Sequence, residues 1–323
     1  MTETQEAFAA RRSADWAALG TLVSGERAWH ALPAATIARA AALYRSVAAD
    51  LMRARAAGYS PELLARLDSL AAGAHAALYD APPYRVGAVA DLLARGFPRT
   101  VRRYRRFVAF AALLFVLPGV IGFVGSLRSR AFALGILPEE AIEQMEQSYA
   151  HAPDEGRHAG DNAFMAGFYV YNNVGIAFRC FATGILFGLG SVFFLVYNGL
   201  VIGAVGGLVT ASGHGGNLLT FVSTHGAFEL TAIVISGAAG MVTGYALIDT
   251  GGRTRFGSLR HRAGDIARLV LGAACMLLVA AALEGFWSPS PVPARIKLVV
   301  AAVMWLAVMA YLVLAGRRGA PGA

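Results

Sequence analysis

The chain has 323 residues, of which 57% are hydrophobic and 15% charged, and its mean hydropathy is +0.54. Soluble domains carry about 25% charged residues, so this composition excludes an ordinary soluble protein and indicates a membrane protein. The net charge of +8 does not indicate a nucleic-acid partner, because most basic residues flank apolar segments, where the positive-inside rule accounts for them. The two cysteines, Cys180 and Cys275, have neither a disulfide pattern nor metal-ligand spacing.

Residues 1–106 are predicted to form a soluble, cytoplasmic helical domain. Apolar residues recur with helical period at Leu43, Val47 and Leu51. Ser60 followed by Pro61 is typical of a helix start, with the serine as N-cap. Several arginines lie directly before the first apolar segment, and a basic flank of this kind is retained in the cytoplasm.

Residues 107–323 are predicted to form a transmembrane helical domain, so the fold class is all-α with a polytopic membrane part. The apolar tract 162–211 is too long for one span of about 20 residues, and we divide it near Gly188. Six spans result: 107–126, 165–187, 191–211, 226–248, 267–287 and 296–315.

The distribution of charge predicts the topology of these spans. Loop 127–171 has 3 Arg against 7 acidic residues, and segment 249–268 has 5 Arg against 2 acidic residues. With six spans and the N-terminus inside, the acidic loop lies outside and the basic segment inside, as the positive-inside rule requires. We therefore predict both termini in the cytoplasm and an extracytoplasmic helical loop at about 127–165.

Glycines are frequent within the predicted spans. Spacings of four residues let helix backbones approach closely, so we interpret them as helix-packing positions, with a homo-oligomer interface or a pore lining as alternative uses. The packing positions are Gly199, Gly203, Gly226, Gly237, Gly240 and Gly244.

Ionisable residues inside the spans are the main functional candidates, since a carboxylate at membrane depth usually faces protein or water. His225 and Glu229 are four residues apart and share a helix face. The topology brings Glu284 to the same outer half of the bilayer, with Arg179 within the second span. We predict an intramembrane polar cluster of Arg179, His225, Glu229 and Glu284, supported by Asn172, Asn173 and Asn198.

This cluster has several interpretations. It is either an ion pair that holds three helices in register, a path for protons or ions, a ligand pocket, or a set of charges that reach the interface. A metal site is conceivable with His214 or Glu284 as third ligand, but the spacing does not demand one, so we assign no metal, no cofactor and no catalytic residue. The Ser223–Gly226 segment indicates either a broken, re-entrant helix or an ordinary interfacial loop.

The chain resembles the stage II sporulation protein M-like integral membrane proteins over most of its length. The residues that carry the resemblance are Leu43–Arg45, Asp50, Leu51, Arg53, Arg55, His75, Leu78 and Tyr79 in the first part, and Asn172, Asn173, 184–188, Asn198, Gly199, Gly203, His225, Gly226, Glu229, Gly237, Gly240, 283–286 and Pro289 in the second.

The resemblance implies a multispanning protein of the bacterial cytoplasmic (inner) membrane that anchors a complex with peptidoglycan-degrading enzymes. It implies no catalytic residues. The leading hypothesis is therefore a scaffold that recruits protein partners to a membrane complex. The alternatives are a transporter or channel that uses the polar cluster and, third, an intramembrane hydrolase.

Overall fold

The computed structural model describes residues 3–24, 32–79, 87–150 and 159–317, and the regular elements in those ranges are all helices. Contacts divide the chain into two compact units, Met1–Arg85 and Val86–Ala323. The second unit begins earlier than the predicted boundary at residue 106, because Phe97 and Val101 pack in the same core as Leu269 and Leu312.

In its described residues, the first unit consists of three helices: α1 (Gln5–Val23), α2 (Ala34–Ala56) and α3 (Pro61–Tyr79). Their apolar faces meet in one core, which includes Phe8, Trp16, Val47 and Leu67. Burial of these faces stabilises helices that would be marginal in isolation. Ser60 is the N-cap of α3, as predicted: its hydroxyl oxygen accepts a hydrogen bond of 3.4 Å from the Leu63 backbone N–H.

A buried carboxylate links two of these helices. Asp50 of α2 is 0% exposed, and its Oδ2 accepts hydrogen bonds from Arg12 Nε at 2.7 Å and Trp16 Nε1 at 3.0 Å, both on α1. Arg53 Nη1 donates to the other oxygen at 3.3 Å. The charge is therefore compensated, as a buried ion requires.

The second unit contains ten α-helices in the described residues: α4 (Gly87–Asp91), α5 (Phe97–Arg103), α6 (Arg105–Arg128), α7 (Arg130–Leu134), α8 (Glu139–Ala150), α9 (Ala159–Ala182), α10 (Leu189–Ala211), α11 (Gly215–Ile248), α12 (Arg255–Ala282) and α13 (Ala294–Leu314). A π-helical turn, Leu92–Gly96, joins α4 to α5, and a second, Leu283–Trp287, extends α12.

Five of the described helices are long and apolar enough to cross a membrane: α6, α10, α11, α12 with its π-helical extension, and α13. α6 leaves Leu113, Leu117 and Ile121 exposed along its length, as expected for contact with lipid. The remaining predicted span, 165–187, overlaps most of α9, which has 24 residues. The count of six spans stays a prediction.

α6 and α10 run parallel and touch through their backbones. Gly199, Gly203 and Gly207 of α10 lie, in that order, against the main chain of Phe115, Gly119 and Phe123 of α6. A Cβ at any of these glycines would overlap a carbonyl oxygen of α6. The helices approach this closely because the glycines carry no side chain.

The turn between α9 and α10 confirms the division of the long apolar tract. α9 passes into a single 3₁₀ turn, Thr183–Ile185, and α10 begins after Gly188, whose φ is 87°. Glycine adopts this left-handed conformation without a steric penalty. Gly184 and Gly188 in turn lie against the backbone of Gly240 and Gly244 in α11.

α11 is the central helix of the second unit, in contact with α6, α9, α10, α12 and α13. It is one continuous helix of 34 residues, so the break predicted at Ser223–Gly226 does not exist. Thr224, His225 and Gly226 are buried among neighbouring helices, which stabilises helical geometry where the sequence alone indicated an interruption.

The predicted outer loop at 127–165 contains α7 and α8, while its residues 151–158 lie outside the described part of the chain. Ala133 of α7 and Ile142 of α8 pack against Leu208 of α10. Arg130 Nη1 and Ser212 Oγ both donate to Glu146 Oε1, at 2.7 and 2.6 Å. These bonds hold α8 against the end of α10.

The opposite end of the second unit is rich in arginine. Arg102 donates to the carbonyl oxygens of Leu312 and Ala315 at the end of α13, at 2.7 and 2.6 Å. Asp265 of α12 pairs with Arg103 at 2.9 Å and Arg268 at 2.7 Å. Basic groups thus satisfy the carbonyls at a helix C-terminus.

Candidate functional site

The structure brings His225, Glu229 and Glu284 together. His225 Nε2 lies 3.8 Å from Glu229 Oε2 and 4.0 Å from Glu284 Oε1. The nearest ligand atoms of the three side chains all lie within 4.8 Å of one another. We call these three residues the His–Glu–Glu cluster.

Two helices position the cluster. His225 and Glu229 project from the same face of α11, one turn apart, as their spacing predicts. Glu284 comes from the π-helical extension of α12, and π-turns inside helices often mark functional sites. His225 is 3% exposed and Glu284 8%, so the cluster lies within the protein.

Neighbouring polar side chains orient two of the three groups. Ser288 Oγ lies 3.0 Å from His225 Nδ1, which leaves Nε2 directed at the carboxylates. Asn173 of α9 donates a hydrogen bond of 3.3 Å to Glu284 Oε2. The Phe221 ring packs edge-on against the imidazole, with 5.5 Å between centroids.

Lys297 is a buried cation next to this group that the sequence analysis missed. It lies in the first turn of α13 and is 1% exposed. Its Nζ donates to the carbonyl oxygens of Ser288 and Ser290, at 2.8 and 2.7 Å. A lysine at the second position of a predicted span was the available signal, but such a residue ordinarily extends to the interface.

Arg179 does not join the cluster, contrary to the prediction. Its side chain is exposed on the outer surface of α9, and its Nε donates to the carbonyl oxygen of Gly175 at 3.0 Å. Asn173 and Arg179 are six residues apart, which separates their directions by roughly 120° around a helix. Because Asn173 faces Glu284, Arg179 must face elsewhere.

Two of the supporting asparagines also lie apart from the carboxylates. Asn172 is exposed and donates to Asn173 Oδ1 at 3.1 Å. Asn198 donates to the carbonyl oxygen of Phe194 in its own helix at 2.7 Å. Only Asn173 of the three therefore bonds a member of the His–Glu–Glu cluster in the described hydrogen bonds.

Five of the six predicted packing glycines lie at close contacts between helices, and one does not. Five of them allow a close approach between helices: Gly199, Gly203, Gly237, Gly240 and Gly244. Gly226 does not, because the nearest atom to a Cβ built there would be Leu230 Cδ1 of its own helix, at 3.9 Å.

The chemistry available at the His–Glu–Glu cluster follows from its donor set. Two carboxylates and one imidazole can share or relay a proton, and together they offer one nitrogen and several oxygen ligands to a metal ion.

Residues 109–289 match the protein family described as stage II sporulation protein M. The chain belongs to this family. The match covers more than half of the chain, includes the His–Glu–Glu cluster and confirms the resemblance predicted from separated motifs. Residues 6–80 match a second family, described as a domain of unknown function, DUF8413. No curated protein and no solved structure matches the chain.

As a stage II sporulation protein M family member with several apolar helices, the chain is a membrane protein. The family match ends close to the π-helical extension of α12. The DUF8413 match coincides with the first unit, α1 to α3.

Proposed function

We propose that this protein is a non-enzymatic scaffold of the bacterial cytoplasmic membrane, which anchors protein partners in an envelope complex concerned with peptidoglycan. The observation that carries the proposal is the direct backbone contact between α6 and α10 and between the α9–α10 turn and α11. Such contacts make a rigid membrane body.

The same contacts argue against the transporter alternative. Alternating access requires helices or bundles to rock against one another around a central site. The main chains of α6 and α10 touch at one glycine in each of three consecutive turns. Such a pair has little freedom to slide, since close-packed interfaces are bistable and not continuously deformable. A fixed platform is the use that this packing suits.

The proposed topology has six spans, with both termini in the cytoplasm. The parallel alignment of α6 and α10 supports it. If both cross the membrane in the same direction, the chain between them must return across it, and α9 is the helix in that segment with the length to do so.

Charge supports the orientation. The positive-inside rule assigns one end of the second unit to the cytoplasm, the end that holds Arg102, Arg103 and the five arginines of 249–268. The acidic segment with α7 and α8 then faces outward. The His–Glu–Glu cluster lies towards this outer side, near the start of α11 and the end of α12.

The first unit is proposed as the cytoplasmic docking module for a partner. It has its own core and its own buried ion-pair network around Asp50, and it matches a separate family. A module that folds around its own core can present a constant surface while the membrane unit holds it at the bilayer.

Site-specific photo-crosslinking in native membranes tests the scaffold. A photoreactive amino acid would replace Met52, which is 62% exposed on α2. We expect discrete adducts with envelope proteins that act on peptidoglycan. At a temperature that unfolds the first unit of the Asp50→Asn variant but not of the wild type, the adducts should vanish with Asp50→Asn. They should persist there with Asp68→Asn, which affects only an exposed pair with Arg55.

Two results would contradict the scaffold. One is an identical adduct pattern in the Asp50→Asn protein, which would mean that the fold of the first unit is irrelevant to capture. The other is a solute or proton flux in liposomes that the wild type supports and Glu229→Gln abolishes without loss of folding. The second result would favour the transporter.

A further inference from the structure

We propose that His225, Glu229 and Glu284 bind one divalent transition-metal ion of the zinc class. The sequence contributes two ligands at a spacing of four residues on α11, which is too few to define a site. The fold adds the third from α12. This site is independent of whether the protein acts as a scaffold.

The separations of the donor atoms suit such an ion. Zinc binds imidazole nitrogen and carboxylate oxygen at about 2.0–2.2 Å, so tetrahedral ligand atoms lie about 3.4 Å apart. The His225 Nε2 to carboxylate distances are 3.8 and 4.0 Å. All three donor atoms lie within 4.8 Å of one another, so the pairs with His225 need contraction by about half an ångström and the carboxylate pair by at most about 1.4 Å. Rotations of the two flexible glutamate side chains supply this.

The surrounding hydrogen bonds match those of metal-ligating residues. A ligating histidine usually has its other ring nitrogen held by a hydrogen-bond partner, which fixes the tautomer. Ser288 Oγ occupies that place at His225 Nδ1, 3.0 Å away. Asn173 donates to Glu284 Oε2, and the other oxygen, Oε1, is the one nearest the imidazole.

Charge provides the energetic reason for a metal ion here. Two carboxylates a few ångströms apart in a buried site repel each other and lose hydration. A divalent cation neutralises both, while the imidazole binds in its neutral form. Imidazole favours zinc and related ions over magnesium and calcium, which prefer all-oxygen sites.

Three protein ligands leave a fourth coordination position open. Glu229 and Glu284 retain 14% and 11% side-chain exposure, so the site is not sealed. A water molecule or an anionic group of a partner can complete the coordination, as in zinc sites with three protein ligands.

Metal content of the full-length, untagged protein in nanodiscs tests the proposal. After chelation and dialysis against zinc, elemental mass spectrometry should find about one ion per chain. His225→Ala and Glu284→Gln should each retain less than about a tenth of it. His261→Ala is the matched control, because His261 is an exposed histidine of α12 outside the cluster, and it should bind like the wild type.

Two further measurements test the metal site even if a ligand variant fails to fold. Ser288→Ala leaves all three ligands in place and should weaken zinc affinity by about 10–100-fold. X-ray absorption of the wild-type zinc complex should show one imidazole and otherwise oxygen ligands at about 2.0–2.2 Å. No retained zinc, a sulfur-containing shell, or equal loss in His261→Ala and His225→Ala would overturn it.

Discussion

Gly203 of α10 lies against the carbonyl oxygen of Gly119 in α6, and neither residue has a side chain to separate the two helices. The contact recurs one turn to either side, where Gly199 and Gly207 meet Phe115 and Phe123. We therefore expect the α6–α10 pair to move as one rigid element, and the scaffold proposal depends on that rigidity.

Gly203→Ala should destabilise the membrane unit. Its methyl group overlaps the Gly119 carbonyl, and overpacking of this kind typically costs about 1–3 kcal/mol. The loss of stability would appear as a lower temperature of thermal aggregation in detergent, measured by size-exclusion chromatography of heated samples. Gly264→Ala is the control, because nothing lies within 4 Å of a Cβ at Gly264 on α12, and it should leave the temperature unchanged or slightly higher.

Asp50→Asn should unfold the first unit at a lower urea concentration than the wild type. The substitution removes the charge to which Arg12 and Arg53 donate, and a hydrogen bond to a charged group is worth about 1.5–3 kcal/mol, while Arg12 keeps its pair with Asp15. Pulse proteolysis of the full chain in urea would measure the change. Asp68→Asn breaks only the exposed pair with Arg55, which is worth about 0–1 kcal/mol, so a comparable effect there would refute the role assigned to Asp50.

Docking of α8 should weaken in acid. The hydrogen bond from Ser212, together with the Arg130 guanidinium, holds the pKa of the Glu146 carboxyl below its ordinary value of 4.5. A carboxyl whose folded pKa is lowered stabilises the fold above pH 4.5 and loses that contribution as pH falls through the folded pKa.

Hydrogen exchange of α8, measured between pH 6 and pH 3 and corrected for the intrinsic rate, should reveal this loss. Glu146→Gln should remove most of the pH dependence, since its side chain does not titrate. Glu143→Gln, at an exposed position of the same helix, should retain it. Persistence of the full pH dependence in Glu146→Gln would assign the effect to another group.

Single cysteines should map the topology. In a variant whose native cysteines are replaced by serine, six spans place Glu143→Cys outside and Leu186→Cys inside, on the same side as His261→Cys. An impermeant maleimide added to intact cells should therefore label only position 143. Labelling of both 143 and 186 would mean that α9 does not cross the membrane.

The sequence predicted most of the helices because hydropathy and length determine them. The division at Gly188 was predictable from glycine spacing, and the Glu229–His225 pair from helical periodicity. Glu284 could be joined to them because alternating spans bring the start of α11 and the end of α12 to the same side. Those inferences need only the order and direction of the helices.

The errors concern rotation of a helix about its axis and the effect of neighbours. Arg179 was assigned to the cluster because its depth is suitable, but depth does not determine which face a residue occupies. The break at Ser223–Gly226 was inferred from local polarity, whereas packing by the surrounding helices keeps α11 continuous there. Tertiary contacts determine both features.

Lys297 is the single lysine of the chain, and its ammonium group is enclosed by the protein. The surface of this protein therefore offers no lysine amine for acetylation or for attachment of amine-directed labels, and its exposed cations are guanidinium groups. Crosslinkers that react with lysine would therefore miss any complex of this protein, which makes photoreactive or carboxyl-directed reagents the appropriate means of testing for neighbours.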